Sequence, residues 1–126
     1  MQLELIDDLP YTILTVNYQS NEIEIEYVLV DTGSASTIFS SDYMARIGIS
    51  PLPKDTLHTI RGVGGIETVF NREVDHIQLG SKKIEDVVIE VGGMDYGFDI
   101  NGILGMDVLL SVGAIINLHD KRIDFA

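Results

Sequence analysis

The chain has 126 residues, 45% of them hydrophobic, with 12 glycines, no cysteine and a net charge of −12 from 20 acidic and 8 basic side chains. That is one domain of ordinary size, long enough to build a core without metals or disulfides. The missing cysteines exclude thiolate catalysis, thiol redox chemistry and thiolate metal sites, and the negative charge makes nucleic acid and anionic membrane surfaces poor partners.

Met1 to Asp8 has neither the basic start nor the apolar core of a secretory leader. The longest apolar tract, Val108 to Leu118, is broken by Ser111, Gly113 and Asn117 and falls short of the ~20 residues that span a bilayer. A soluble, cytoplasmic protein is expected. Residues 3–6 read as a short strand or an extended arm, so that 1–10 form a terminal segment and 11–126 the domain. Asp7-Asp8-Leu9-Pro10 breaks the pattern. Tyr11 to Tyr18 alternates as a strand, Gln19-Ser20-Asn21 is a polar turn, and Glu22 to Val30 is a strand in two parts. Its first half alternates strictly, as a half-exposed strand does. Its second half is apolar on both faces, as a buried strand is.

That strand ends in Val28-Leu29-Val30-Asp31-Thr32-Gly33-Ser34. The apolar run carries Asp31 out of the core to a tight loop, and Gly33 allows a turn that most residues could not make. A carboxylate held there beside two hydroxyls can be fixed by hydrogen bonds. By itself, Asp-Thr-Gly can equally be a turn that only ends a strand.

Ser36-Thr37-Ile38-Phe39 reads as a short strand. Ser40 and Ser41 are good helix N-caps, Asp42 suits a first turn, and a short helix over 42–47 is stopped by Gly48. Ile49 to Pro53 is an extended connector. Leu57 to Asn71 then gives two strand-like arms around a glycine-rich tip, Ile60-Arg61-Gly62-Val63-Gly64-Gly65-Ile66. Such a hairpin lets a ligand backbone approach closely, although a plain surface hairpin has the same pattern. No helix and no Lys-Ser/Thr follow the glycines, so a nucleotide loop is excluded. Glu73 to Leu79 alternates up to a turn at Gly80-Ser81, Ile84 to Val91 is the next strand, and Gly92 to Asp99 is a loop.

In Ile103-Leu104-Gly105, a strand leads into a short helix over Met106 to Ser111, and Gly105 permits close backbone packing. Taken alone, this is also a generic strand-to-helix joint. Ala114 to Leu118 and Arg122 to Phe125 form a final hairpin around His119-Asp120-Lys121.

Asp31-Thr32-Gly33-Ser34, the glycine-rich hairpin and Ile103-Leu104-Gly105 with its helix occur together in the order and near the spacing of retropepsin-like, retroviral-type aspartic proteases. The chain resembles that family over roughly residues 11–126. The resemblance implies a mainly all-β fold, a single-lobe closed β-barrel of the acid-protease type with one or two short helices. It implies catalysis by Asp31, with Thr32 and Gly33 in the same loop, and support from Ser34, Ile103, Leu104 and Gly105. Ser34 would hydrogen-bond the outer oxygen of Asp31. Residues Ile60, Arg61, Gly62, Val63, Gly64, Gly65 and Ile66 would be a flap over an extended peptide.

There is only one Asp-Thr-Gly, and the chemistry needs two carboxylates that share a proton. The resemblance therefore implies a C2 homodimer in which the two Asp31 side chains meet and Thr32 anchors the loops across the interface. Two chains of −12 each repel one another, so association should weaken at low salt and improve in mild acid.

Asp86, Glu85, Asp99 and Asp107 lack a comparable apolar approach and read as solvated surface. His58, His76 and His119 have no metal-ligand spacing, so no metal and no cofactor is expected. A serine nucleophile lacks its elbow motif. Tyr96 and Phe98 pack or line a pocket, and Ile60, Val63, Ile66 and Ile103 are candidate pocket residues. Three readings remain: an aspartic endopeptidase acting on extended or unfolded peptides, a catalytically silent dimerisation or peptide-binding module of the same fold, and a small β-barrel in which Asp31 is structural.

Overall fold

A computed structural model of the chain describes residues 1–62 and 65–126. The first three strands are β1 (Glu4–Ile6), β2 (Leu9–Tyr18) and β3 (Asn21–Val30), which form a meander. Both of its turns are two-residue turns in the left-handed region, Asp7-Asp8 with φ of 51° and 63° and Gln19-Ser20 with φ of 49° and 69°. This backbone twist matches that of the flanking strands. Asp7-Asp8 is thus a hairpin turn, not a break, and β2 starts two residues earlier than the sequence pattern suggests. Pro10 stands opposite Leu5 near the start of β2, a position that proline tolerates.

Next come β4 (Ile38–Ser40) and α1 (Ser41–Ala45). The helix is shorter than expected because Arg46, Ile47 and Gly48 donate to the carbonyls of Tyr43, Met44 and Ala45 in a tightened last turn. Ser40 sits at the N-cap, buried, and makes no side-chain cap bond. Gly48 is left-handed, with φ 87°, as a helix-ending glycine commonly is.

Strands β5 (His58–Gly62), β6 (Gly65–Leu79) and β7 (Lys82–Gly92) follow. β6 is one strand of 15 residues, where the sequence pattern divides it near Asn71. The ladder runs through the expected break, pairing Asn71 with Glu90 and Arg72 with Ile89. Arg72 is further held by Asp55 (2.8 Å) and the carbonyl of Ser50 (3.1 Å). The chain ends with β8 (Gly102–Leu104), α2 (Met106–Ser111), β9 (Ala114–Asn117) and β10 (Arg122–Phe125).

The large sheet has the order β1-β2-β3-β8-β4-β7-β6-β5, with a further pairing of β2 to β6. That pairing closes six strands into a ring. The β3–β8 and β4–β7 contacts are parallel. The ring encloses the main core, which includes Val16, Ile25, Val28, Phe39, Ile77, Ile89 and Leu104. A second cluster gathers Tyr11, Leu29, Ile38, Val69, Met94, Ile100 and Ile103. Val28 and Val30 enter the first cluster and Leu29 the second. This explains why the end of β3 is apolar at every position.

A smaller sheet pairs β9 with β10. The first residues of the same chain add to β10. Met1 N–H donates to Ile123 O (3.0 Å), Ile123 N–H to Met1 O (2.9 Å) and Leu3 N–H to Lys121 O (2.9 Å). No helix among the described residues is long and apolar enough to cross a membrane.

Candidate active site

Asp31 follows directly on β3, and its N–H donates to Leu104 O on β8 (3.0 Å). This bond continues the parallel ladder Val28–Gly102, Leu29–Ile103, Val30–Leu104. Asp31 is half-buried, while Thr32 and Gly33 are exposed. The chain then turns, with Ser34 N–H donating to Asp31 O (3.2 Å). Gly33 N–H donates to Asp31 Oδ1 at 2.9 Å. Gly33 is not in the left-handed region, so its value lies in proximity rather than in a special turn. A Cβ at this position would stand 3.2 Å from Asp31 Oδ1, which crowds the carboxylate. Ser34 differs from expectation, since its hydroxyl donates to Ser36 O (2.7 Å) and not to Asp31.

Residues 34–37 are fastened to the segment after β8. Met106 N–H donates to Ser34 O (2.7 Å) and Asp107 N–H to Ala35 O (3.3 Å). Thr37 is fully buried. Its Oγ1 accepts from Gly105 N–H (3.0 Å) and donates to Asp107 Oδ1 (2.7 Å), and its own N–H donates to Asp107 Oδ2 (3.2 Å). Val108 N–H also donates to Asp107 Oδ1 (2.8 Å). Asp107 is exposed yet is not a free surface charge, because its carboxylate ties the Asp31 loop to α2. Gly105 lies directly under this loop. A Cβ there would meet Ser36 O at 2.2 Å and Ser34 O at 2.9 Å, so no larger residue fits unless the loop moves.

The glycine-rich hairpin is formed by β5 and β6, in register from His58–Val69 to Gly62–Gly65. Gly65 is left-handed, with φ 110°. Val63 and Gly64, the expected tip, lie outside the described residues. Ile60 is half-buried against the second cluster, and Ile66 is 66% exposed. Ile103 is buried in that cluster and does not form an open pocket wall.

Glu67, across from Ile60, reaches the loop that precedes β8. Its Oε1 accepts from Met94 N–H, and its Oε2 accepts from the Tyr96 hydroxyl. Burial raises the Tyr96 phenol above its ordinary value, and the bond and charge of Glu67 raise it further. The rings of Tyr96 and Phe98 are 6.3 Å apart and tilted.

The structure thus brings Asp31, Gly33, Ser34, Leu104 and Gly105 together, with Ile103 packed behind. Thr37, Asp107 and Glu67 carry bonds that sequence reasoning missed. The only local signal is an acidic residue in the first turn of α2, which suits a helix N-terminus.

A half-buried carboxylate in a fixed loop can accept a proton and orient a water molecule. Among the described residues no side chain of this chain hydrogen-bonds to it.

The solved structures that resemble the chain include the EIAV protease complexed with the inhibitor HBY-793. It is 24% identical, with 90% of this chain and 96% of that one covered and a TM-score of 0.63. A retropepsin-like aspartic protease from Rickettsia conorii is 21% identical, with 94% and 83% covered and a TM-score of 0.67. At these identities the likeness is one of fold. No curated protein sequence matches the chain. The sequence model for gag-polyprotein putative aspartyl proteases matches residues 16–111, most of the chain and all of the loop around Asp31. The chain belongs to that family of aspartic proteases.

Proposed function

We propose that the protein is an aspartic endopeptidase that works as a homodimer, with Asp31 of each copy forming one catalytic pair. The observation that carries this reading is the bracing of the Asp31 loop. Asp31, Ser34, Ala35 and Thr37 are all bonded to the segment from Leu104 to Asp107, and a general base needs such fixed geometry. A solitary structural aspartate at a strand end has no use for it.

Two like charges brought together cannot both stay ionised, so the pair shares one proton. The ionised Asp31 takes a proton from a water molecule while the water oxygen bonds to the scissile carbonyl carbon. The protonated Asp31 gives its proton to the carbonyl oxygen. As the tetrahedral diol collapses, the C–N bond breaks, the leaving nitrogen takes the proton that the pair holds, and one hydroxyl of the diol returns its proton to the other carboxylate as the C=O bond re-forms, which restores one proton between the two carboxylates. Gly33 N–H steadies each carboxylate, Thr32 anchors the two loops across the two-fold axis, and the β5–β6 hairpin covers an extended peptide.

A digest of a diverse peptide library from pH 4 to 7, read by mass spectrometry, tests this. Wild type should cut and Asp31→Asn should not, with an unchanged fold because an amide oxygen can still accept the Gly33 N–H. Absence of cleavage at concentrations where sedimentation shows a dimer would leave a peptide-binding module. Dimer formation should be weaker at low salt and pH 8 than in mild acid, because each copy carries −12. A tight dimer at low salt and pH 8 contradicts that expectation.

A further inference from the structure

A cavity of about 500 Å³ has walls that include Ile6, Asp7, Tyr11, Tyr27, Phe98 and Asp99. Of its walls, Tyr27 lies on β3, the strand that ends at Asp31, and Tyr11 on the neighbouring β2. Tyr11 stands across from Leu29, two residues before Asp31, so this wall lies about 7 Å from Asp31 along the strand. The loop bearing Phe98 and Asp99 is joined to β3 by the bond from Asn101 N–H to Tyr27 O (3.0 Å). The same loop is held to the hairpin through Glu67, Met94 and Tyr96.

The chemistry of the walls is specific. Two carboxylates and three aromatic rings face one space, and no lysine or arginine is among the lining residues. Tyr11 is only 4% exposed, yet its hydroxyl has no hydrogen-bond partner among the described residues. A phenol oxygen without a protein partner at the edge of a cavity is free to bond a ligand. Burial, followed by the negative charge of Asp7, raises the Tyr11 phenol above its ordinary value. A metal ion fits poorly, since no group of three or more potential ligands exists among the described residues.

We infer that this cavity receives a basic side chain of the peptide substrate, arginine in preference to lysine, two or three residues from the bond that is cut. The position follows from an extended peptide crossing Asp31 at ~3.3 Å per residue. A guanidinium offers five donors in a planar fork, enough for Asp7, Asp99 and the Tyr11 oxygen, while its face stacks on Phe98 or Tyr27. An ammonium satisfies fewer of these groups. The inference rests on the protease reading for the direction of the peptide, and it names the substrate class of that site.

Matched peptides with a reduced-amide bond, which cannot be cut, separate the two ideas. One carries arginine and its partner glutamine at the second and third residues from that bond. Binding to the full chain is read by fluorescence anisotropy at moderate salt, which damps long-range steering. The arginine peptide should bind about tenfold more tightly. In Asp7→Asn/Asp99→Asn the ratio should fall close to one, and asparagine tolerates the left-handed backbone at position 7. Glu85→Gln/Asp86→Asn removes the same charge elsewhere and should keep the ratio. Peptides with an ordinary amide bond are digested in parallel. Arginine preference in binding without any cleavage would overturn the protease reading and uphold the subsite. Cleavage with equal affinity for the two peptides would overturn the subsite alone, as would a ratio that survives the double substitution. A failure of both peptides to bind or be cut would overturn both.

Discussion

The Asp31 loop and the β5–β6 hairpin belong to one sheet but are held in opposite ways. The loop is short and is fastened along its length to a single neighbouring segment, Leu104 to Asp107, through main-chain bonds and through the buried Thr37. The hairpin ends the sheet, because among the described residues β5 pairs with β6 alone. Midway along its ladder, Ile60 packs on the second cluster and Glu67 hydrogen-bonds the loop before β8. In the proposed protease, chemistry needs a group that does not move, and a covering hairpin needs to open at low cost. On the proposed function, the hairpin is expected to open without disturbing Asp31.

The largest effect is expected from removing the fit under the loop. Gly105→Ala puts a Cβ 2.2 Å from Ser36 O, and backbone cannot yield as a side-chain tip can. The cost should be about 1–3 kcal/mol or somewhat more, read by chemical denaturation. Displacement of Asp31 by an ångström should lower kcat/KM by about 10²-fold. Wild-type activity in this variant would show that the loop is not pinned at Gly105. Thr37→Val should come next. It leaves the Gly105 N–H without its acceptor and takes one donor from Asp107, for about 1–3 kcal/mol. Thr37→Ser should restore most of the loss, because it keeps the hydroxyl. Equal stability of the Val and Ser variants would remove the hydroxyl from the account.

The difference between the two regions also explains what can be read from the sequence. The approach to Asp31 is visible because Val28, Leu29 and Val30 feed two clusters alternately, which requires an unbroken apolar run. Gly105 is visible because close backbone packing selects the one residue without a side chain. Thr37 and Asp107 are 70 residues apart, and Glu67 and Tyr96 are 29 apart. No local period marks such pairs. Gly33 can be identified as necessary, but the reason, a carboxylate 3.2 Å from where its Cβ would be, appears only in three dimensions. Asp7-Asp8 and the continuous β6 were misread because turn-forming and polar residues look like breaks until the partner strand is known. At Asn71 and Arg72 the partner is β7.

The smallest effect is expected midway along the hairpin, where Tyr96→Phe removes one of the two bonds to Glu67 and leaves the Met94 N–H in place. Loss of this bond at a half-buried site should cost about 1 kcal/mol. The pH dependence has a definite sign. The folded chain raises the Tyr96 phenol above its ordinary value, so the protonated form is the one favoured by folding. Its contribution is complete below the unfolded-chain value of ~10 and is lost as pH rises beyond it towards the folded value. Wild type should therefore lose stability above pH ~10 by an amount that Tyr96→Phe does not. Hydrogen exchange at the Met94 amide should quicken in the variant at neutral pH, while exchange at the Asp31 and Gly105 amides stays slow. If those two amides quicken together with Met94, the Glu67 tie and the Asp31 loop form one cooperative unit, and the hairpin cannot open independently of the loop.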